Sequence, residues 1–545
     1  MKINQGPLSF DYADGALRRI SLGETEVIRG IAYLVRDRDW GTLVPQISDE
    51  LIEPTRISYS ARFESQGAAL VVAVVIDFSE GLNFTAATQA EGDFETNRAG
   101  FTVLHPITGV AGAAVTVEHC DGSLHSAQFP LLIEPWQPFQ DLRALTHWLG
   151  GWQIACRMEG DAFEMEDQRQ WGDASYKTYV RPLARPWPYQ IADGSWFDQA
   201  VRLSWQPTPK VEATLPDASA CGIFPQTALV ITAEEARHAV ERPGDLALVK
   251  PQRLLCHFDA TRHGLAELQA FAALQACYEA AYDLELIARC DGVLDVEFSS
   301  HAKDLAASRL RVASIMICPS VDRHSTPPGS DWPPCPPLAD VYKAARKAFP
   351  GVSLGGGMVS FFPELNRKRP PVAMLDFVSH GLCPIVHDAS DAGVMQTLEA
   401  VAHITASARA IIGEKAYRLG PSTIAMRQNP YGARVIPNPD GAQVCMSDDD
   451  PRQRTAFGAA YVLGLAAALV GSGVEVWTPA GLYGPRGVMD WSGRAYPMAR
   501  VLAEFAARSG ERVDAELLPN TSARLRFAGA EMTTNLATYV RTELA

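Results

Sequence analysis

From the N-terminus to about residue 222, apolar and polar positions alternate in short runs such as ALVVAVVIDF (69–78) and FTVLHP (101–106), broken by Gly, Asp and Asn. A period of two with turn residues between the runs predicts many half-buried strands, and hence a β-sandwich. One short helix is expected within this half, at residues 141–149. Past a Pro-containing stretch at 215–226 the rhythm changes to apolar strand, loop and long helix, repeated several times. That succession predicts βα units and a parallel sheet. Strand candidates lie at 253–258, 284–288, 312–317, 352–361, 374–378, 417–426 and 474–477, with helices such as 264–278 and 394–412 between them. After a helix ending near residue 509, the segment ERVDAELLPNTSARLRFAG returns to alternation and predicts a small closing sheet.

Composition narrows the function classes. A chain of 545 residues is too long for one core and implies two to four domains, with three as the working number. Hydrophobic content of 47% with 20% charged residues is that of a globular protein. The formal charge of −15 and the lack of a basic block argue against a nucleic-acid partner. It also means that a carboxylate-bearing ligand must be met by local arginines. The N-terminus MKINQGPLSFDYADGALRRI has no apolar stretch followed by a small-residue cleavage pattern, and 10 cysteines are scattered without a CxxC, so a cytoplasmic protein with reduced thiols is expected. The apolar run 457–470 is too short for a bilayer span and reads as a buried helix. No GxGxxG follows a strand and opens a helix, so a dinucleotide is not indicated, and no cofactor is expected.

Chemistry-bearing residues concentrate in two places. The run EMEDQRQWGDASYKTYVRPLARPWPY (164–189) holds Glu166, Asp167, Asp173, Arg169, Lys177, Trp171, Tyr176, Tyr179 and Trp187. Carboxylates accept from hydroxyls, basic groups donate and rings cover C–H faces, which suits a sugar-like ligand. The other reading is an edge strand and loop whose charges satisfy one another. The second concentration follows the strand candidates of the βα region, where parallel α/β folds keep their working groups. It comprises His257 and Asp259; Glu364, Asn366, Arg367 and Arg369; His380, His387 and Asp388; Arg427, Asn429 and Tyr431; and Glu475 with Trp477. His257, Asp259, His380, His387 and Asp388 include metal-ligating types, but no HxH or HxxxH pair occurs and no metal is assigned. No serine sits in a GxSxG elbow.

The phrases NRAGFTVLHP (97–106), FPLLIEPWQPF (129–139), the 164–189 run, ELNRKRPP, DFVSHGLCPIVHDASD and LGPSTIAMRQNPYG together resemble the D-apionate lactonase family of bacterial apiose catabolism. The N-terminal phrases also look like sugar-binding β-sandwiches of mutarotase type. The resemblance implies a multidomain α/β plus β protein: an N-terminal β-sandwich over 1–222, a central TIM-like (β/α)8 barrel over 223–510 and a C-terminal β segment over 511–545. Seven barrel strands are legible, and the eighth is sought at 292–298. The resemblance further implies hydrolysis of D-apionolactone to D-apionate, a reaction that needs a base, oxyanion donors and an acid. Glu364 or His380 is expected to activate water and His387 to serve as acid or orienter. Arg427, Asn429 and Asn366 are expected to hold the oxyanion and hydroxyls, with Arg367 on the new carboxylate. Asp259, Glu166, Asp167, Arg169 and Trp171 complete the expected substrate-binding set. Two alternatives stay open: a retaining or inverting glycoside hydrolase using Glu364 and Glu475, and a non-catalytic carbohydrate-binding protein with its site at 166–171.

Overall fold

Strand after strand of the N-terminal half pairs antiparallel in the computed structural model, which describes residues 1–38, 40–209, 219–326, 328, 330–429, 435–539 and 541–544. The chain divides into two compact units, residues 1–168 with 174–216, and residues 169–173 with 217–545.

In the first unit one hydrogen-bonded path of strands runs from Lys2–Gln5 at one edge to Gln46–Glu53 at the other, with Ala114–His119 and Leu124–Gln128 branching from it and Phe94–Thr96 pairing Tyr189–Ile191 separately. The path folds over a single apolar core. Phe10 near one end packs edge-on against Phe78 near the other at 5.3 Å, and Tyr33 meets Phe63 and Phe101. The residues expected as a short helix at 141–149 are instead the strand Leu142–Leu149, paired with Trp152–Glu159. Leu145 and His147 are buried and Thr146 and Trp148 are not, so a two-residue period carries this segment.

His147 is fully buried against the edge of Phe129, and among the described residues neither ring nitrogen has a hydrogen-bond partner. Burial pushes its pKa down to about 4 from 6.5. A folded pKa below the unfolded one contributes stability that is complete above about pH 6.5 and is lost as pH falls toward 4. His147→Leu is therefore expected to stabilise the first unit by about 2 kcal/mol more at pH 5 than at pH 7.5, since leucine takes up no proton in the unfolded chain. Urea unfolding at pH 5 and pH 7.5 checks this, and an equal change at both pH values would contradict it.

The second unit holds a closed parallel barrel. Its strands are β1 (Gln226–Ile231), β2 (Arg253–Asp259), β3 (Ala281–Ala288), β4 (Ser314–Pro319), β5 (Ser353–Phe361), β6 (Phe377–Gly381), β7 (Ala416–Leu419) and β8 (Val474–Tyr483). Parallel pairing of β8 with β1 closes the ring. The eighth strand is thus β1, directly after the stretch read as a domain boundary, whereas residues 292–298 lead into the helix Leu294–Ser308. The candidate at 417–426 stops at Leu419, ahead of Pro421, which has no N–H to offer the ladder. Gly357 in β5 has φ +115, and a Cβ there would stand 2.0 Å from the Ser379 carbonyl oxygen of β6, so the GGG run serves close strand approach.

Inside the barrel, Asp283 accepts two bonds from Arg253 at 2.7 Å each, and one from Ser314. Arg418 bonds Ser314 and lies over the Phe377 ring. These residues occupy the N-terminal starts of β2, β3, β4 and β6, with Arg418 from β7, and leave the opposite end of the barrel to the candidate site. The C-terminal strands Arg512–Leu518, Ser522–Phe527, Ala530–Asn535 and Arg541–Leu544 form an antiparallel sheet that also takes in Ser219–Ile223. Against this sheet packs Ala456–Leu469, the buried helix expected from the apolar run.

Candidate active site

At the C-terminal ends of the barrel strands the polar side chains form three groups. The first joins residues from the segments that follow β4, β5 and β6 with residues of the segment 169–173. Glu364 lies in the first turn of Phe362–Lys368, the short helix that follows β5. It is buried and accepts from the Ser325 hydroxyl at 2.6 Å, the Thr326 N–H at 3.4 Å and Arg367 at 3.3 Å. Burial raises its pKa above the usual carboxylate range, against the lowering pull of Arg367 and the Ser325 hydroxyl. Arg367 also donates to Ser325 and to the Thr326 carbonyl, and its guanidinium lies 5.7 Å from the Trp171 ring centre. Trp171 in turn stands edge-on to His387, 6.0 Å between ring centres. His387, in the loop after β6, bonds Asp173 Oδ2 through Nδ1 at 2.7 Å. Four residues expected from sequence, Glu364, Arg367, Trp171 and His387, are therefore brought into one chain of contacts.

The second group lies deeper, between β2 and β3. Glu285 of β3 stands opposite His257 of β2 in register and bonds its Nδ1 at 2.6 Å. Arg427, in the segment after β7, grips both Glu285 oxygens at 2.8 Å each and donates to the Val359 carbonyl. Burial by itself would raise the Glu285 carboxyl, but Arg427 and His257 more than offset it and hold the pKa at about 2. Sequence reading missed Glu285. The available signal was the period-two pair Asp283 and Glu285 inside an otherwise apolar parallel strand, where a carboxylate faces the barrel interior.

The third group is centred on Asp259. Its carboxylate accepts from the Thr261 amide and hydroxyl, from Arg262 at 3.0 Å and from Arg323 at 2.7 Å. Burial opposes ionisation, yet these donors lower its pKa.

Other expected residues are placed differently. His380 is fully buried, with Nδ1 on the Gly381 carbonyl at 2.9 Å and Nε2 on the Tyr417 hydroxyl at 2.7 Å. Since the carbonyl can only accept, Nδ1 carries the hydrogen and Nε2 takes the tyrosine proton, so both nitrogens are committed. Burial holds its pKa at about 4. Asn366 is buried and accepts from Arg369 through both its backbone and amide oxygens. Asn429 is half-buried, and Tyr431 lies outside the described residues.

Within the run 164–189, Glu166 and Asp167 belong to the first unit while Arg169 and Trp171 belong to the second. Glu166 pairs with Lys177 at 2.8 Å, and the buried Asp167 accepts from the Glu134 N–H. Arg169 is fully buried and donates to His403 Nδ1 at 2.9 Å. Tyr179 donates to Glu164 at 2.7 Å, so much of the run is an interior network rather than an open polar surface.

A recess at this end of the barrel is bordered by Val359, Phe361, Leu382, Thr423 and Arg427. Among the described residues no three His, Cys, Asp or Glu side chains are grouped to hold a metal ion. The pairing of Glu364 with Glu475 expected for a glycosidase does not occur. Glu475 is exposed and is the second residue of β8, at the N-terminal end of the barrel. Eight residues of strand rise put it roughly 25 Å from the end where Glu364 sits, whereas paired glycosidase carboxylates stand about 5–10 Å apart.

Comparison with known proteins agrees with the two-part architecture. The family model described as the D-apionate lactonase N-terminal domain matches residues 1–208, and that described as the D-apionate lactonase TIM barrel domain matches residues 227–510. A protein named D-apionate lactonase from Brucella anthropi is 46% identical over 511 residues, which is 90% of this chain and 84% of that protein. Among solved structures, a putative aldose 1-epimerase from Escherichia coli K12 is 11% identical with a TM-score of 0.26, covering 38% of this chain and 98% of its own. A GH39 β-xylosidase from Caulobacter crescentus is 12% identical with a TM-score of 0.36, covering 58% and 79% respectively. These structural likenesses are too low to carry an argument, and the sequence matches carry it alone. They make the protein a lactonase, a hydrolase acting on a carboxylic ester closed into a ring. The chain belongs to the D-apionate lactonase family.

Proposed function

We propose that the protein hydrolyses D-apionolactone to D-apionate, with water attacking the lactone carbonyl at the C-terminal end of the barrel under general acid and base assistance. The observation that carries this reading is the Asp173–His387 pair set beside Trp171, Arg367 and Glu364, in a chain 46% identical to a D-apionate lactonase. An imidazole whose Nδ1 is fixed by a carboxylate presents Nε2 in a defined direction, as acid–base catalysis requires. In this reading His387 gives its Nε2 proton to the departing ring oxygen. Arg367 meets the carboxylate that forms, and Glu364 fixes Arg367 and the 325–326 turn. Asn366, Asn429 and Arg427 are assigned to hydroxyls and the carbonyl oxygen, and Asp259 orders the arginines around it.

All ten cysteines are free thiols, which supports a reducing, cytoplasmic setting. The acidic balance supports a small neutral lactone as the partner rather than a nucleic acid. No helix among the described residues is long and apolar enough to cross a membrane.

A pH-indicator assay of purified protein against D-apionolactone and unbranched aldonolactones, corrected for spontaneous hydrolysis, tests the proposal. Saturable turnover with kcat/KM for D-apionolactone at least about tenfold above the others is expected, the scale set by small differences of shape in a pocket. Turnover of unbranched lactones alone would reassign the substrate, and no lactone turnover would end the reading.

A further inference from the structure

A lactone hydrolase must take a proton from water, and neither base expected from the sequence is well placed to do so. His380 has both nitrogens committed, and Glu364 accepts from three donors around the 325–326 turn. Resting on the lactonase reading above, we propose that His257 is the general base of the reaction, oriented by Glu285, which Arg427 holds in place.

The argument starts from strand geometry. Along β2, Leu254, Cys256 and Phe258 are buried, and Leu255 lines the barrel interior together with Asp283 of β3. Alternation then turns His257 inward as well, and it stands opposite Glu285. Glu285 is almost wholly buried, so its carboxylate persists only because a guanidinium and an imidazole satisfy it. An ionised carboxylate only accepts, so His257 Nδ1 carries the hydrogen in this bond, and Nε2 is the nitrogen that the neutral ring offers to water. The ring is 13% exposed, and among the described residues Nδ1 makes its single hydrogen bond, to Glu285. His257 is therefore oriented through Nδ1 and reachable by solvent, a combination that His380, bonded through both nitrogens, lacks.

The charged and titratable groups facing it are Glu285 from β3, Arg427 from the segment after β7, and His263, whose ring centre lies 6.0 Å away. In the step proposed, His257 Nε2 takes one proton of the water as its oxygen bonds the carbonyl carbon. The ring C–O bond then breaks, and its oxygen takes the proton of His387 Nε2. The resulting hydroxy acid releases a proton to solvent and leaves as a carboxylate, and the two imidazoles recover their states by exchange with water.

The test uses the full chain with His257→Gly and Glu285→Gln, each checked for folding by circular dichroism and melting, with kcat and KM for D-apionolactone measured from pH 5 to 9. His257→Gly is expected to lose about 10³-fold in kcat, within the range for acid–base groups, with KM changed less than about threefold. Added imidazole is expected to restore turnover saturably, which a merely structural role would not produce. Glu285→Gln is expected to lower kcat about 10²-fold and displace the acidic limb of its pH profile. A folded His257→Gly variant within about tenfold of wild type, or one that imidazole does not rescue, overturns the proposal. Should that variant not fold, a wild-type pH profile in Glu285→Gln overturns it equally. Wild-type protein inert toward every lactone would instead overturn the lactonase reading and this inference with it.

Discussion

His387→Gln is expected to lower kcat on D-apionolactone by about 10²–10⁴-fold, the contribution of a positioned acid–base group, while the fold remains intact. Glutamine can still bond Asp173, but it cannot give up a proton to a departing alkoxide. The structural cost is expected to be small, because His387 and Asp173 are 17% and 13% exposed at the barrel end and are not part of its core. One lost charge-assisted hydrogen bond is worth about 1–3 kcal/mol. Asp173→Asn separates orientation from proton transfer. The asparagine can accept the same bond but carries no charge, so kcat is expected to fall while KM stays close to wild type. Steady-state kinetics of both variants with matched melting curves decide the matter, and near-wild-type kcat in His387→Gln would remove it as the proton donor.

The largest stability effect is expected at Arg427. Replacing it with methionine keeps much of the side-chain volume but leaves Glu285 in the barrel interior without its guanidinium, the situation in which a buried pair costs about 3–5 kcal/mol on losing one partner. The pH dependence has a definite sign. Glu285 is held at about 2 against an ordinary 4.5, so its contribution is complete above about pH 4.5 and is lost as pH falls toward 2. A shift of that size corresponds to about 3 kcal/mol, in line with the first figure. Denaturation of Arg427→Met is thus expected to show its full deficit at pH 7 and a shrinking one toward pH 3. The double variant Arg427→Met with Glu285→Met is expected to recover much of the stability but not the turnover, because the apolar pair no longer directs His257. A deficit that is independent of pH would mean that Arg427 acts by packing on Val359 rather than through the carboxylate.

Local order alone made parts of the site legible. Glu364 and Arg367 stand three residues apart at a strand end, so their ion pair on the short helix Phe362–Lys368 was foreseeable from spacing. The change from a two-residue period to βα succession near residue 222 likewise followed from side-chain alternation, because burial of one or both strand faces is written directly into the order of apolar positions. The long phrases spread over both halves carried the family.

Closure of the barrel decided the rest. Asp173 and His387 are 214 residues apart, and Arg427 and Glu285 are 142 apart, so no window of sequence contains either pair. His380 and His257 look alike as strand-end histidines, yet Tyr417 and Gly381 occupy both nitrogens of one while Glu285 orients the other. Glu475 lay close to a strand end in the sequence, and only strand direction placed it at the far end of the barrel from Glu364. The first strand escaped notice because QTALVI is short and follows a Pro-containing stretch, and its identity rests on parallel pairing with β8, which lies far along the sequence. The sequence by itself thus determined element types, the family and the local ion pair, since these depend on neighbouring residues. Which histidine a carboxylate orients and which carboxylate stays ionised were decided by tertiary structure, because both follow from partners that only the closed barrel brings within hydrogen-bond distance.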